Sequence, residues 1–281
     1  MTVTLSLALG LALGAAAAQA PAPDPAPRPR GAGIAIGGLA WADRDVERAE
    51  LPKKSVWRRL EAGAELRTGD TFRTAGDATA RLEFPWMNVT LGPGTMFTIP
   101  VGTVLSTVLE QGRAEFAGPG RDIVKILVGD GEVRGGGRLV LRRSVGRTTA
   151  TALEGVFRVR ARGRTVEIKA GQGTVVTDGR PPEAPAPLPA APRGLDPGQD
   201  PVYVRSGQPL ALRWTSAGPS HHVEILALTG DAVLLAREAG EPPLRLEIPW
   251  LGTFRWRVSA RDARGIESRP SAEGLISAVD R

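Results

Sequence analysis

The sequence predicts an all-β fold, and three observations carry that expectation. Gly and Pro account for 35 and 24 of the 281 residues, a density of chain-turning residues that suits many short strands and leaves little uninterrupted length for helices. Apolar and polar residues alternate in short runs, as in Ala80, Leu82 and Phe84 against Thr79, Arg81 and Glu83, which is the period of a half-buried strand. Hydrophobic residues at 42% and charged residues at 23% supply enough apolar surface for real cores, and a length near twice the ~150 residues of an ordinary domain points to two domains.

Residues 1–20 carry no charged side chain, and a Leu/Ala-rich run from Leu5 ends in Ala18-Gln19-Ala20. This is the pattern of an export signal peptide cleaved after Ala20. A Pro/Ala-rich leader follows over 21–34, with five prolines between Pro21 and Arg30 that stop any helix. Export would place the mature chain in the periplasm or at the cell surface. No later run approaches the ~18 apolar residues of a spanning helix, so no transmembrane span is expected in the mature chain.

Between 35 and 178, strands are expected over Ala80 to Phe84, Met96 to Ile99, Ile123 to Val128, Arg138 to Leu141, Val156 to Ala161, Thr165 to Ile168 and Thr174 to Val176. Ala161-Arg162-Gly163-Arg164 reads as a tight hairpin turn. The one helical expectation is Ala42 to Leu60, interrupted by Pro52. Eight prolines then fall in the 23 residues of 179–201, which reads as a semi-rigid extended linker with few contacts across it. In the last part, 202–281, Leu210, Leu212 and Trp214 alternate, as do Val223, Ile225 and Ala227, and Phe254, Trp256, Val258 and Ala260. Leu226 and Leu228 lie on the other face of the middle run, so that strand is expected to be covered on both sides. Short strands around central Trp residues indicate a β-sandwich.

From Ser55 the chain reads SVWRRLEAGAELRTGDTFRTAGDATARLEF, and Trp57, Leu60, Gly63, Leu66, Gly69-Asp70, Arg73-Thr74, Ala80, Leu82 and Phe84 resemble the opening of the FecR-domain family. Leu91-Gly92-Pro93-Gly94-Thr95, Leu109-Glu110-Gln111-Gly112 and Lys169-Ala170-Gly171-Gln172-Gly173 resemble later elements of it, so the likeness spans about 35–178. The chain departs from the family at Pro85-Trp86-Met87-Asn88, where an Asp-Gly-Ser turn is usual, and at Val133 to Gly137. Leu212-Arg213-Trp214, Phe254 to Val258 and Asp262 to Ser268 resemble the fibronectin type III-like module that often follows exported FecR domains. The resemblance implies an elongated, solenoid-like β domain followed by a sandwich, in a cell-envelope binding or scaffolding protein. The competing implication is a periplasmic sensor or regulatory component of a FecR-type transmembrane signalling system.

With no Cys, disulfides, thiol nucleophiles and Cys-ligated metals are excluded. His221 and His222 are the only histidines. Adjacent strand residues point to opposite faces, so the pair cannot form one mononuclear site. Asp70, Asp77 and Glu83 occupy turn or outward positions that need no catalytic role, and no Ser sits in a nucleophile elbow. A non-enzymatic protein without cofactor or metal is expected.

Charge is more informative. Between Arg121 and Arg164 lie ten Arg and one Lys against two Asp and two Glu, an excess of seven beside +6 for the whole chain. Arg158, Arg160 and Arg162 alternate with Phe157, Val159 and Ala161, and Arg164 follows the turn, which makes the four arginines a candidate anion-binding face. An anionic glycan, a lipid headgroup or an envelope protein would suit it. Nucleic acid is disfavoured by export and by the lack of an interleaved aromatic platform. Trp86 and Met87 are candidate partner contacts on an aromatic loop tip. Trp214 and Trp256 read as sandwich core.

Overall fold

Twenty-three strands and no helix form among the described residues of the computed structural model, which are 33–42, 46–50, 56–101, 106–119 and 124–280. The all-β expectation holds. The expected signal segment, and the leader up to residue 32, lie outside the described residues.

The first strands are β1 (Ala35–Ala42), β2 (Val46–Ala49), β3 (Trp57–Arg59), β4 (Glu65–Arg67), β5 (Thr71–Thr74), β6 (Ala80–Phe84), β7 (Met87–Leu91) and β8 (Met96–Thr98). The longer β9 (Ser106–Gly118), β10 (Val124–Val128), β11 (Gly131–Ser144) and β12 (Arg147–Ala161) follow, then β13 (Arg164–Lys169), β14 (Gln172–Thr177) and β15 (Ala186–Pro187). These fifteen are hydrogen-bonded into one sheet system whose main path runs β15-β14-β12-β11-β10-β9-β7-β6-β1-β4. Its pairings are antiparallel except β9 with β10. Leu66, Phe72, Leu82, Val89, Phe97, Leu109, Leu139, Leu141 and Ile168 are fully buried in its core.

The described residues of Ala42 to Leu60, which are 42, 46–50 and 56–60, contain strands and no helix. Val46 and Ala49 are both buried, a spacing that mimics a helix face, but β2 pairs with β5 (Val46 opposite Thr74) and with β3. Long-range pairing overrides a weak local preference, and Pro52 already blocks a continuous helix.

The remaining strands are β16 (Arg193–Asp196), β17 (Val202–Arg205), β18 (Pro209–Thr215), β19 (Ser220–Ala227), β20 (Val233–Ala239), β21 (Leu244–Glu247), β22 (Gly252–Arg261) and β23 (Gly274–Val279). They form a three-stranded sheet, β16-β18-β21, and a five-stranded sheet, β17-β23-β22-β19-β20. Leu212, Trp214, Val223, Ile225, Trp256, Val258 and Ile276 fill a shared core, with the Trp214 and Trp256 rings 6.4 Å apart. The expected sandwich core is therefore in place. Leu226 is buried on the other face of β19 with Val233 and Ala236, as expected of a strand covered on both sides, whereas Leu228 is exposed.

Residues 179–201, expected to space the two parts, are instead paired to both of them. β15 pairs with β14, and the Glu183 N–H donates to the Val175 carbonyl. β16 pairs with β18, and the Pro197 carbonyl accepts the indole N–H of Trp256 at 2.9 Å. Proline lacks an N–H but keeps its carbonyl and an extended φ, so a Pro-rich segment can still line a sheet edge. Gly31–Arg281 accordingly forms one compact unit.

Candidate functional site

Alternation along β11 puts Arg134, Arg138 and Arg142 on the side of the sheet opposite the buried Val133, Leu139 and Leu141. That side has two halves. At one end it faces solvent; at the other the sandwich covers it. The division falls at a bulge in β12, where Arg138 faces Glu154 and Leu139 faces Ala152. Gly155 stands there with φ 78°, and a Cβ on it would meet the Gly136 carbonyl oxygen at 2.0 Å, so only glycine allows this approach.

In the solvent half, Lys125, Arg134 and Arg158 lie directly opposite one another across β10, β11 and β12, and Glu167 of β13 ends the row. The next row is Leu127, Glu132, Arg160 and Thr165. Arg158 and Arg160 are exposed on this face, as expected. Glu132 bonds Lys125 at 3.0 Å and lies 3.4 Å from Arg134; the Lys125 hydrogen bond chiefly holds its carboxyl below the usual range. Arg162 is in the turn at φ 49°, and its Nε donates to Asp130 at 2.9 Å. Arg164 opens β13 opposite the buried Ala161, so it is exposed at the hairpin tip and leaves the row. The structure thus brings together Arg158 and Arg160, adds Lys125 and Arg134, and sets Arg162 and Arg164 at the rim.

In the covered half, Arg113 of β9 is 4% exposed at its side chain and forms a fork with Glu267, Nη2 to Oε1 at 2.8 Å and Nε to Oε2 at 3.1 Å. Its other Nη lies 3.5 Å from Glu224 of β19. Arg257 of β22, directly opposite Glu224, donates to it at 2.7 Å, and Arg138 donates to Glu115 at 2.6 Å. His222 bridges Glu224 and Glu238, at 3.2 and 3.1 Å. Glu238 also accepts from Arg142 at 2.8 Å and pairs with Arg261. Backbone contacts add to these: the Thr79 hydroxyl donates to the Val233 carbonyl at 2.6 Å, and the Glu267 N–H to the Thr151 hydroxyl at 3.3 Å.

Burial opposes the charge on every member, and their mutual pairing wins for most of them. The Glu267 and Glu224 carboxylates hold Arg113 above the usual arginine range. Arg257 and the His222 hydrogen bond hold Glu224 well below the carboxylate range. Arg113 and its hydrogen bonds hold Glu267 low, and the hydrogen bond from His222 does the same for Glu238. Burial and Arg113 push His222 down, but hydrogen bonds to Glu224 and Glu238 raise it on balance. Arg261 is the exception: burial lowers it, and Glu238 only partly compensates.

His221 points the other way, into the sandwich. Its ring meets Trp214 edge-on at 5.1 Å and its Nδ1 lies 2.6 Å from the Gly240 carbonyl. The two histidines do occupy opposite faces. Trp86 sits in the two-residue turn between β6 and β7 but stacks on Phe84 at 5.8 Å and is half-buried, and Met87 is buried. The exposed loop tip expected there is replaced by a turn folded onto the core, because β6 and β7 pair right up to Phe84 opposite Met87. Asp70 is buried in the β4–β5 turn, where it accepts the Arg67 N–H at 2.8 Å, and burial pushes its carboxyl up to about 6.

Sequence reasoning missed the covered network. One signal pointed to it: Thr148 to Ala152 carries no charge on either face. It also missed a cleft of about 720 Å³ lined by Trp41, Leu234, Trp250 and Phe254 with Arg59 and Glu61.

No protein-family model matches the chain, and no curated protein matches it. Among solved structures, a candidate anti-sigma factor from Parabacteroides distasonis is 12% identical over 39% of this chain at a TM-score of 0.34. The chain spans 55% of that protein's length. A second structure with the same description gives 12% identity, 42% coverage of this chain, 59% of that one, and a TM-score of 0.36. A fungal alcohol oxidase in complex with copper aligns over 80% of this chain and 79% of its own, at 10% identity and a TM-score of 0.21. Likenesses at this level define neither a shared activity nor a shared partner. Among the described residues no helix is long and apolar enough to cross a membrane.

Proposed function

We propose that this protein is a non-enzymatic binding or scaffolding component of the cell envelope, and that it engages an anionic partner through the solvent half of the β10–β13 face. One observation carries this reading. Lys125, Arg134 and Arg158 lie in direct register on neighbouring strands, and like charges placed directly opposite destabilise a sheet by a few tenths of a kcal/mol or more. Glu132 beside Lys125 and Arg134, and Glu167 opposite Arg158, offset part of that repulsion, and an anionic partner laid across the strands would add further acceptors. Guanidinium groups offer paired donors that match carboxylate, sulfate and phosphate oxygens. The export pattern at Ala18-Gln19-Ala20 supports an envelope location.

The test is retention of the full chain on immobilised dextran sulfate and on phosphatidylglycerol vesicles. Arg134→Gln/Arg158→Gln/Arg160→Gln should elute at clearly lower salt, with affinity reduced about tenfold or more, equivalent to ~1.4 kcal/mol. Its salt dependence should also flatten, because screening acts over ~8 Å at physiological ionic strength. Equal retention of variant and wild type at all salt concentrations would remove the reading.

A further inference from the structure

Where the hairpin end of β11 and β12 meets the end of β22, a separate cleft of about 330 Å³ is lined by Arg142, Arg147, Arg261 and Arg264, with Asp262 and Ser220 among the other wall residues. Four arginines here have two carboxylates between them. Arg142 and Arg261 share Glu238. Arg264 pairs with Asp262 at 3.0 Å, and the second oxygen of Asp262 already accepts the N–H groups of Arg264 and Ile266. Arg147 has no ion pair among the described residues. Two positive charges are left over.

The donors are left over as well. Arg261 is 7% exposed, and its Nε is buried without a hydrogen-bond partner. The Nε of Arg147, on the facing strand, is buried and unpartnered in the same way. A buried donor left unsatisfied costs about 1–3 kcal/mol, so the chain under-supplies acceptors to the two arginines on opposite walls of this cleft. Arg113, in the network at the same junction, has its Nε and one Nη on Glu267. The contrast is local: one buried arginine is over-supplied with carboxylate and the other is under-supplied.

We infer that this cleft is a binding site for a phosphoryl group, either free phosphate or the phosphate of a small phosphomonoester. A phosphate group brings about two negative charges and three or four acceptor oxygens near neutral pH, which matches the two unbalanced cations and the guanidinium groups that line the cleft. Ser220 and Thr149 line the same walls. The volume admits the phosphate with a small substituent. The site is independent of the outward arginine face.

The experiment is thermal unfolding of the full chain in up to about 10 mM inorganic phosphate or glucose 6-phosphate against chloride at equal ionic strength. These concentrations are too low for the general stabilisation that phosphate gives when excluded from protein surfaces. Saturating ligand should raise the midpoint by roughly 2–4 °C or more. A larger shift with the sugar phosphate identifies an esterified phosphate as the ligand, and an equal or larger shift with the inorganic ion identifies free phosphate. Arg147→Gln/Arg264→Gln should lose the shift, whereas Arg134→Gln/Arg158→Gln/Arg160→Gln should keep it. In wild-type protein, phosphate should also protect Arg147 and Arg264 from phenylglyoxal, read by peptide mass spectrometry, so the result does not depend on a variant folding. No phosphate-specific shift in wild type, a full shift in the Arg147/Arg264 variant, or equal labelling with and without phosphate would each overturn the site.

Discussion

The two halves of one sheet face use the same residue type to opposite ends. Arg134 and Arg138 are four residues apart on β11 and point to the same side, yet Arg134 faces water beside Lys125 and Arg158, while Arg138 sits under the sandwich on Glu115. In the solvent half charge is loosely balanced and screened, so individual pairs contribute at most about 1 kcal/mol. In the covered half Arg113, Glu224, Glu267 and His222 are buried, and each carboxylate is committed to named donors. A row of alternating charged residues therefore marks a face that avoids the strand's own core, and only the partner element decides whether that face is wet.

The comparison breaks most visibly at Arg113. Arg113→Leu leaves Glu267 buried without its main counter-charge and takes from Glu224 the weaker of its two arginines, and should cost about 3–5 kcal/mol in denaturant unfolding. The sandwich and the first sheet should then unfold in separable steps. A loss under ~1 kcal/mol with one cooperative transition would mean that the network contributes nothing to the junction.

The pH dependence comes next in size. Glu224, Glu238 and Glu267 have folded-state values below their unfolded ones, so their stabilisation is complete above the unfolded range near pH ~4.3 and is lost as pH falls. His222 is raised, so its contribution is complete below its unfolded value near ~6.5 and is lost as pH climbs through the folded one. Stability should peak between those limits, and His222→Gln should remove the alkaline decline while leaving the acid one. An unchanged alkaline limb would exclude His222 as its cause.

Asp70 offers a smaller effect of opposite sign to the glutamates. Its folded value of about 6 exceeds the unfolded one, so it holds its proton in the folded state and stability falls as pH rises from ~4 to 6. Asp70→Asn retains an acceptor for the Arg67 N–H and should flatten that decline, seen as melting temperatures that converge with wild type in acid and exceed it above pH 6. Smallest of all, Arg158→Gln/Arg160→Gln should shift stability by less than about 0.5 kcal/mol, an order of magnitude below Arg113→Leu.

Much of this was legible in the chain. Period-two alternation located β6, β8, β13, β14, β18, β19 and β22, and the Ala161 to Arg164 turn, because each is decided by neighbours within a few residues. β9 was not marked as a strand, since Gly112 and the charged Glu110, Arg113 and Glu115 interrupt its apolar pattern. The covered network escaped for a related reason: Arg113 and Glu267 are 154 residues apart, and each looks like an ordinary solvated residue until the two polar faces meet. The exposed strand face that carries Arg158 and Arg160 was legible from alternation, but the turn geometry that removes Arg162 and Arg164 from it depends on Asp130 and on strand register.

The two-residue strand at Ala186–Pro187 settles how this molecule meets its own copies on one flank. A terminal strand normally offers its outward N–H and carbonyl groups as a template for a further chain. Here the last position on the main path of the large sheet is held by β15, with Pro185, Pro187 and Pro189 in and around it. Such a ribbon has too few free N–H groups to template another strand. At high local concentration, that flank is closed to edge-to-edge polymerisation.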